Sequence, residues 1–168
     1  FIKMEEGLSY LDLAAIEIDS HGRLWLGGAY PKGYLQIYNP GKGVVKKITH
    51  LDIAHIDKIE IGNDIAFAVY NGSTSGEIGI LEFKLIGSEN IPDYQDYYTN
   101  FTDETITEIR DLDIFQDSLY ITTDQGIFAG DYSDNLKSSE RWNIMYDDDD
   151  ALQFIPGETS IALLDSSI

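Results

Sequence analysis

The chain has three histidines, His21, His50 and His55, the side chains best suited to hold a transition metal or move a proton near neutral pH. Two ligands on one helical face need a spacing such as His-Glu-x-x-His, and His50 and His55 lack it. His21 stands in a turn, and all three read as structural or surface histidines. Gly72-Ser73-Thr74-Ser75-Gly76 has the outline of a nucleophile elbow. Threonine holds the serine place, however, and no helix follows, so a hairpin loop is expected. Pro40-Gly41-Lys42-Gly43 sets a lysine among glycines without the spacing of a phosphate-cradling loop, and reads as a turn. Asp147 to Asp150 are consecutive acids. A calcium loop alternates its oxygens and bends at a glycine, which this run does not, so it reads as a solvated connector. Asn71-Gly72-Ser73 and Asn100-Phe101-Thr102 match the N-glycosylation sequon, which acts only in a eukaryotic secretory setting. The expectation is no catalytic residue, no metal ligand, no cofactor and an unidentified ligand-binding surface.

The elements that carry these residues repeat. Ile16-Glu17-Ile18 returns as Ile59-Glu60-Ile61, as Leu112-Asp113-Ile114 and as Leu152-Gln153-Phe154. Breaker-rich turns follow: Ser20-His21-Gly22, Gly62-Asn63-Asp64, Gln116-Asp117-Ser118 and Pro156-Gly157-Glu158. Second strands then align as Leu24-Trp25-Leu26, Ile65-Ala66-Phe67, Leu119-Tyr120-Ile121 and Ile161-Ala162-Leu163, apolar on both faces. Third strands open after glycine at Gly33, Gly76 and Gly126, and more polar fourth strands are expected at Val44 to Ile48, Tyr94 to Thr99 and Arg141 to Met145. No helix of convincing length is visible; Leu51 to Ile59 reads as a connector running into a strand. A unit of about 40–50 residues filled only with strand signals is the mark of a β-propeller. The expected fold is therefore all-β, with about three complete four-stranded blades and partial blades at both ends, part of a larger ring.

The expected organisation is a preceding outer strand and linker over 1–10, a blade over 11–50, a blade with a long insertion over 51–104, a blade over 105–148 and half a blade over 149–168. Phe1 to Met4 would be that outer strand, and the start at Phe1 reads as an excised or mature segment. Closure of the chain into a small four-bladed ring is the alternative. The surplus of the second unit lies between Leu85 and Thr105, around Pro92, Asp93, Tyr94, Tyr97 and Tyr98, and reads as a loop excursion. Trp25, Phe67 and Tyr120 are expected to supply much of the packing between blades. Glu17, Glu60 and Asp113, with Gln153 fourth, hold one place in successive inner strands. They either line a negative channel that attracts a cation or supply the polar half of an alternating strand.

Acidic residues outnumber basic ones 30 to 11, a net charge of −19, which repels nucleic acid and anionic membranes. The absence of cysteine excludes disulfides without fixing a compartment. No apolar run approaches the ~20 residues of a membrane-spanning helix, so direct membrane insertion is not expected.

Ile16-Glu17-Ile18-Asp19-Ser20-His21-Gly22-Arg23-Leu24-Trp25-Leu26-Gly27-Gly28 resembles the two-component-regulator propeller repeat, I-x-x-D-x-x-G-x-L-W-[I/L]-G-T, with Gly28 in place of the threonine. Ser118 to Phe128 is similar to a variant of that repeat, with Tyr120 in the tryptophan place and Thr123 in the threonine place. The resemblance implies a bacterial ring, periplasmic or extracellular, that senses a ligand or scaffolds an assembly without catalysis. Such rings form sensor regions of histidine kinases and parts of secreted proteins of the Bacteroidetes type, including secretion machinery. The implied partner is a protein or a small molecule, carbohydrate among the candidates, with self-association through exposed blade edges also open. The alternative is a fragment of a propeller-type glycosidase or lyase, since such folds host enzymes too.

Overall fold

The computed structural model describes residues 8, 10, 12–30, 32–49, 52–88 and 91–147. Among the described residues the strands form three four-stranded antiparallel sheets, each with its strands in chain order, and Ser139–Arg141 form a turn of 3-10 helix. Sheet 1 holds β1 (Ala15–Ile18), β2 (Leu24–Gly28), β3 (Tyr34–Asn39) and β4 (Gly43–Thr49). Sheet 2 holds β5 (Ile53–Ile61), β6 (Ile65–Gly72), β7 (Ile78–Ile86) and β8 (Ile91–Tyr98). Sheet 3 holds β9 (Ile109–Phe115), β10 (Ser118–Thr123), β11 (Gly126–Asp131) and β12 (Trp142–Asp147). The first three copies of the repeat thus begin on β1, β5 and β9. Its fourth copy, over Ala151 to Ile168, and the outer strand expected at Phe1 to Met4 lie outside the described residues.

Local chemistry sets these boundaries. Breakers close the hairpins, and Gly22, Gly43 and Gly76 take positive φ values of 69°, 81° and 82°, where a side chain is disfavoured. Gln116 adopts φ 54° in the β9–β10 turn, a rare conformation for a residue with a side chain. The second unit differs from expectation. Much of the surplus over Leu85–Thr105 is strand: β7 runs on to Ile86, and β8 starts at Ile91, three residues before the expected Tyr94. The alternation of Ile91, Asp93 and Gln95 with Pro92 and Tyr94 suits an outer strand that needs only one covered side.

The chain divides into two compact parts, residues 1–96 and 97–168. In the first, sheets 1 and 2 pack face to face. Ala15, Trp25 and Ile37 of sheet 1 share one apolar core with Ile59, Ala66 and Phe83 of sheet 2. The Trp25 and Phe83 rings meet edge to face, with centroids 6.4 Å apart. Gly33 brings the backbones together: its N–H donates to the Ile53 carbonyl at 3.1 Å, and a Cβ on Gly33 would overlap Ile53. The second strands are buried on both faces, as Ala66, Phe67, Ala68 and Val69 show.

Register makes the units comparable. Glu17 pairs with Trp25, Glu60 with Phe67 and Asp113 with Tyr120. Hence Ile16 and Ile18 hold in sheet 1 the places of Ile59 and Ile61 in sheet 2. Their surroundings differ sharply: Ile59 is 7% exposed, whereas Ile16 and Ile18 are 61% and 60% exposed. On that same face of sheet 1, Leu8 covers Leu26 and Tyr38 and leaves the β1 end open.

In the second part, Leu112, Leu119, Ile121 and Phe128 of sheet 3 are buried. Phe101 packs edge to face on Trp142, 5.1 Å between centroids, and the Trp142 indole N–H donates to the Leu136 carbonyl at 3.0 Å. Tyr120 is half-buried, on a face shared with Asp113 and Ala129, while Leu119 and Ile121 on the opposite face of β10 are fully buried.

Candidate functional site

Antiparallel order puts the start of each sheet's first strand beside the loop that joins the second and third strands. This end is held differently in each sheet. In sheet 1 the Asp12 carboxylate accepts the Ala29 and Tyr30 amides at 3.2 and 3.0 Å, and the Asp12 carbonyl accepts the Tyr34 hydroxyl. Burial, then the charge of Asp12 and the neighbouring Tyr10, push the Tyr34 hydroxyl up to about 12. In sheet 3 the Asp124 carboxylate accepts the Thr107 hydroxyl at 2.6 Å and the amides of Thr107 and Glu108 at 3.0 and 3.2 Å. Burial alone would raise that carboxyl, but these bonds outweigh it and hold it below its ordinary value. In sheet 2 backbone groups do this work: Ser73 N–H donates to the Asp52 carbonyl at 2.8 Å and Gly72 N–H to the Glu77 carbonyl at 2.9 Å.

The same end explains Gly28. A Cβ there would fall inside the Asp12 carbonyl and against the Tyr34 hydroxyl, so the threonine of the resembled repeat has no room. Gly28→Thr is expected to lower stability by about 1–3 kcal/mol, the usual cost of overpacking. A thermal midpoint equal to wild type would contradict this account of the clamp.

At the opposite end of sheet 1, Asp19 gathers five donors. Its Oδ1 accepts the His21 and Arg23 amides at 2.9 and 3.0 Å. Its Oδ2 accepts Arg23 Nε and Nη2, both at 2.7 Å, and Trp25 Nε1 at 3.0 Å. Burial would raise this carboxyl, but the bonds from Trp25, from the Arg23 backbone and side chain and from the His21 amide hold it below its ordinary value. With the Gly22 amide donating to the Asp19 carbonyl at 2.9 Å, aspartate, glycine and tryptophan of the motif form one hydrogen-bonded cluster.

The chemistry-bearing residues of the sequence fall as follows. His21 bridges Ser20 Oγ at 3.4 Å and the Ser88 carbonyl at 3.0 Å, a structural role. His50 lies outside the described residues. His55 is on β5, its Nδ1 3.0 Å from Asp57 Oδ1, and Asn71 Nδ2 donates to Asp57 Oδ2. Gly72 ends β6 and Ser73 to Gly76 lie in the β6–β7 loop, and Pro40–Lys42 is a turn held by Asn39, whose side chain accepts the Gly41 amide at 2.8 Å. Asp147 ends β12, while Asp148, Asp149 and Asp150 lie outside the described residues. Asn100 donates to the Lys137 carbonyl at 3.3 Å. Tyr94 packs on Phe83, Tyr97 lies under the Lys137 ammonium and Tyr98 is buried.

Glu17, Glu60 and Asp113 are each half-buried on the face of the second-strand residue they pair with. Glu17 bonds the neighbouring Ile18 amide at 2.8 Å. No group of three or more His, Asp or Glu side chains among the described residues could hold a metal ion; Gln153 lies outside them. Sequence reasoning missed Asp12, Asp124 and the Asp57–Asn71 support of His55. Asp19 carried a signal, as the acid before the His21-Gly22 turn. No protein-family model matches the chain, and no curated protein matches it either.

Proposed function

We propose that the chain is part of a β-propeller of the two-component-regulator type and serves as a non-catalytic sensing or protein-interaction module of an exported bacterial protein. The observation that carries this reading is the register itself. Each sheet has its strands in chain order, the same acid–aromatic pairing recurs on its first two strands, and sheet 1 packs on sheet 2. The open Ile16–Ile18 face of sheet 1 and the half-buried Tyr120 face of sheet 3 suit blades that receive further blades of the ring. The placement outside the cytoplasm rests on the motif resemblance.

The non-catalytic part is supported by what three of the described acids do. Asp12, Asp19 and Asp124 are committed to the chain's own amides and side chains rather than left facing a cleft. The test is reducing-end release from a broad panel of glycosides and polysaccharides by the purified protein. No release is the expected result. Release that disappears when a specific pair of acids is changed would make this a propeller-type glycosidase or lyase instead.

A further inference from the structure

Charge is not spread evenly along this acidic chain. Residues 20–51 contain five of its 11 basic residues and none of its 30 acids. Four of the five, Lys32, Lys42, Lys46 and Lys47, are exposed. All four lie on the β4 side of sheet 1. Lys42 stands in the turn before β4, Lys46 and Lys47 stand on β4, and Lys32 comes just ahead of β3, whose start pairs with the end of β4. The arginines behave differently. Arg23, Arg110 and Arg141 each pair with an acid, respectively Asp19, Glu108 and Asp134. Lys32, Lys42 and Lys46 meet no carboxylate among the described residues, and Lys47 meets the hydroxyl and ring of Tyr10.

A second observation concerns the backbone. β4 bonds β3 on one side and no described strand on the other, so about half of its N–H and C=O groups point away from the sheet. A register shift leaves Val45 without a cross-strand partner, and this valine is 44% exposed. Lysine on such an edge deters strand pairing. In this chain acids take that place on the other outer strands: β8 carries Asp93 and Asp96 and no base, and β12 ends at Asp147. The change of sign at β4 selects as well as deters. It repels a basic strand and attracts an acidic one.

We infer that the free edge of β4 is a docking site for an acidic, extended segment of a partner protein, which adds to sheet 1 as a further strand. The inference deepens the protein-interaction reading and rests on it. The partner's backbone would bond the outward edge groups. Its carboxylates would meet Lys46 on one face of the sheet and Lys47 on the other, since side chains alternate. The net charge of −19 does not prevent this, because physiological salt screens charges beyond about 8 Å and leaves the local lysines to decide. A nucleic acid or an anionic polysaccharide could use the lysines but not the backbone edge.

The test is fluorescence anisotropy on the whole chain with a labelled peptide that alternates valine and glutamate over the length of β4. Its valine–lysine counterpart, an oligothymidylate and dextran sulfate are measured beside it. The expected result is saturable binding of the glutamate peptide alone, weaker at higher salt, with slowed amide exchange in β4. Lys42→Glu combined with Lys46→Glu should weaken that binding about tenfold, as two attractive contacts become repulsive. Both lysines are exposed and pair with no acid among the described residues, so the fold should hold. The melting midpoint checks this, and Lys42→Gln with Lys46→Gln serves in its place if it does not. No binding of the glutamate peptide overturns the proposal. So does binding that the variants leave undiminished or that leaves the β4 amides unprotected. Equal or tighter binding of the lysine peptide, the oligothymidylate or dextran sulfate overturns it as well. Salt-sensitive self-association that the same variants abolish would assign the edge to a second copy instead, and so contradict it. None of these outcomes touches the propeller reading, which depends on register and sheet packing.

Discussion

Trp25→Ala is expected to lower the unfolding free energy by about 3–5 kcal/mol, the range for removing a fully buried aromatic. Trp25 is 0% exposed and does three things at once. It fills the core between sheets 1 and 2, meets Phe83 edge to face, and donates its indole N–H to Asp19. Alanine leaves a cavity on a rigid sheet and removes one donor from a buried carboxylate. Trp25→Phe keeps most of the volume and loses the hydrogen bond, so it should cost clearly less. Urea unfolding of the three proteins checks this, and a Trp25→Ala midpoint within error of wild type would contradict the placement of Trp25.

Asp19→Ala is expected to be as damaging, about 3–5 kcal/mol, because it removes the charged partner of the buried Arg23 guanidinium. The side chains of Arg23 and Asp19 are only 6% and 1% exposed, so solvent does little to screen the loss. The effect should depend on pH. The folded-state carboxyl titrates below its ordinary value of 3.8, so the bound proton is disfavoured by the fold. The stabilisation is thus fully present above the unfolded-state pKa and is lost as pH falls through the lower, folded-state one. The gap between wild type and Asp19→Ala should be constant near neutrality and shrink below about pH 4. A gap unchanged down to the acid-unfolding limit would mean that the carboxylate is not the source of the stability.

Much of the fold could be read from the sequence because strands and turns are local. Alternation in Ile16-Glu17-Ile18, the breakers at His21-Gly22 and Asn63-Asp64, and the doubly apolar Ile65 to Phe67 each mark an element without reference to anything distant. What could not be read depends on neighbours. Ile16-Glu17-Ile18 and Ile59-Glu60-Ile61 are nearly identical in pattern, yet one pair of isoleucines faces solvent and the other is packed by sheet 1. Tyr120 has the same place as Trp25, but the face it occupies is half open. The His55 arrangement was illegible for another reason. Alternation puts Asp57 on the face of His55, but the register shift that sets Asn71 opposite His55 leaves no sign in the sequence. Gly28 was legible only as a departure from the resembled motif; its cause, the Asp12 carbonyl, sits far away in sequence.

The central claim of the proposed function is that these sheets are blades of one ring in which sheet 1 receives a further blade. Its most direct test is a crystal structure of the protein as it occurs in its cell. The account predicts β1, β5 and β9 innermost around a single axis, with Ile16 and Ile18 buried under another four-stranded unit of the same repeat. A structure in which the three inner strands share no axis, or in which Ile16 and Ile18 remain open to solvent, would contradict it.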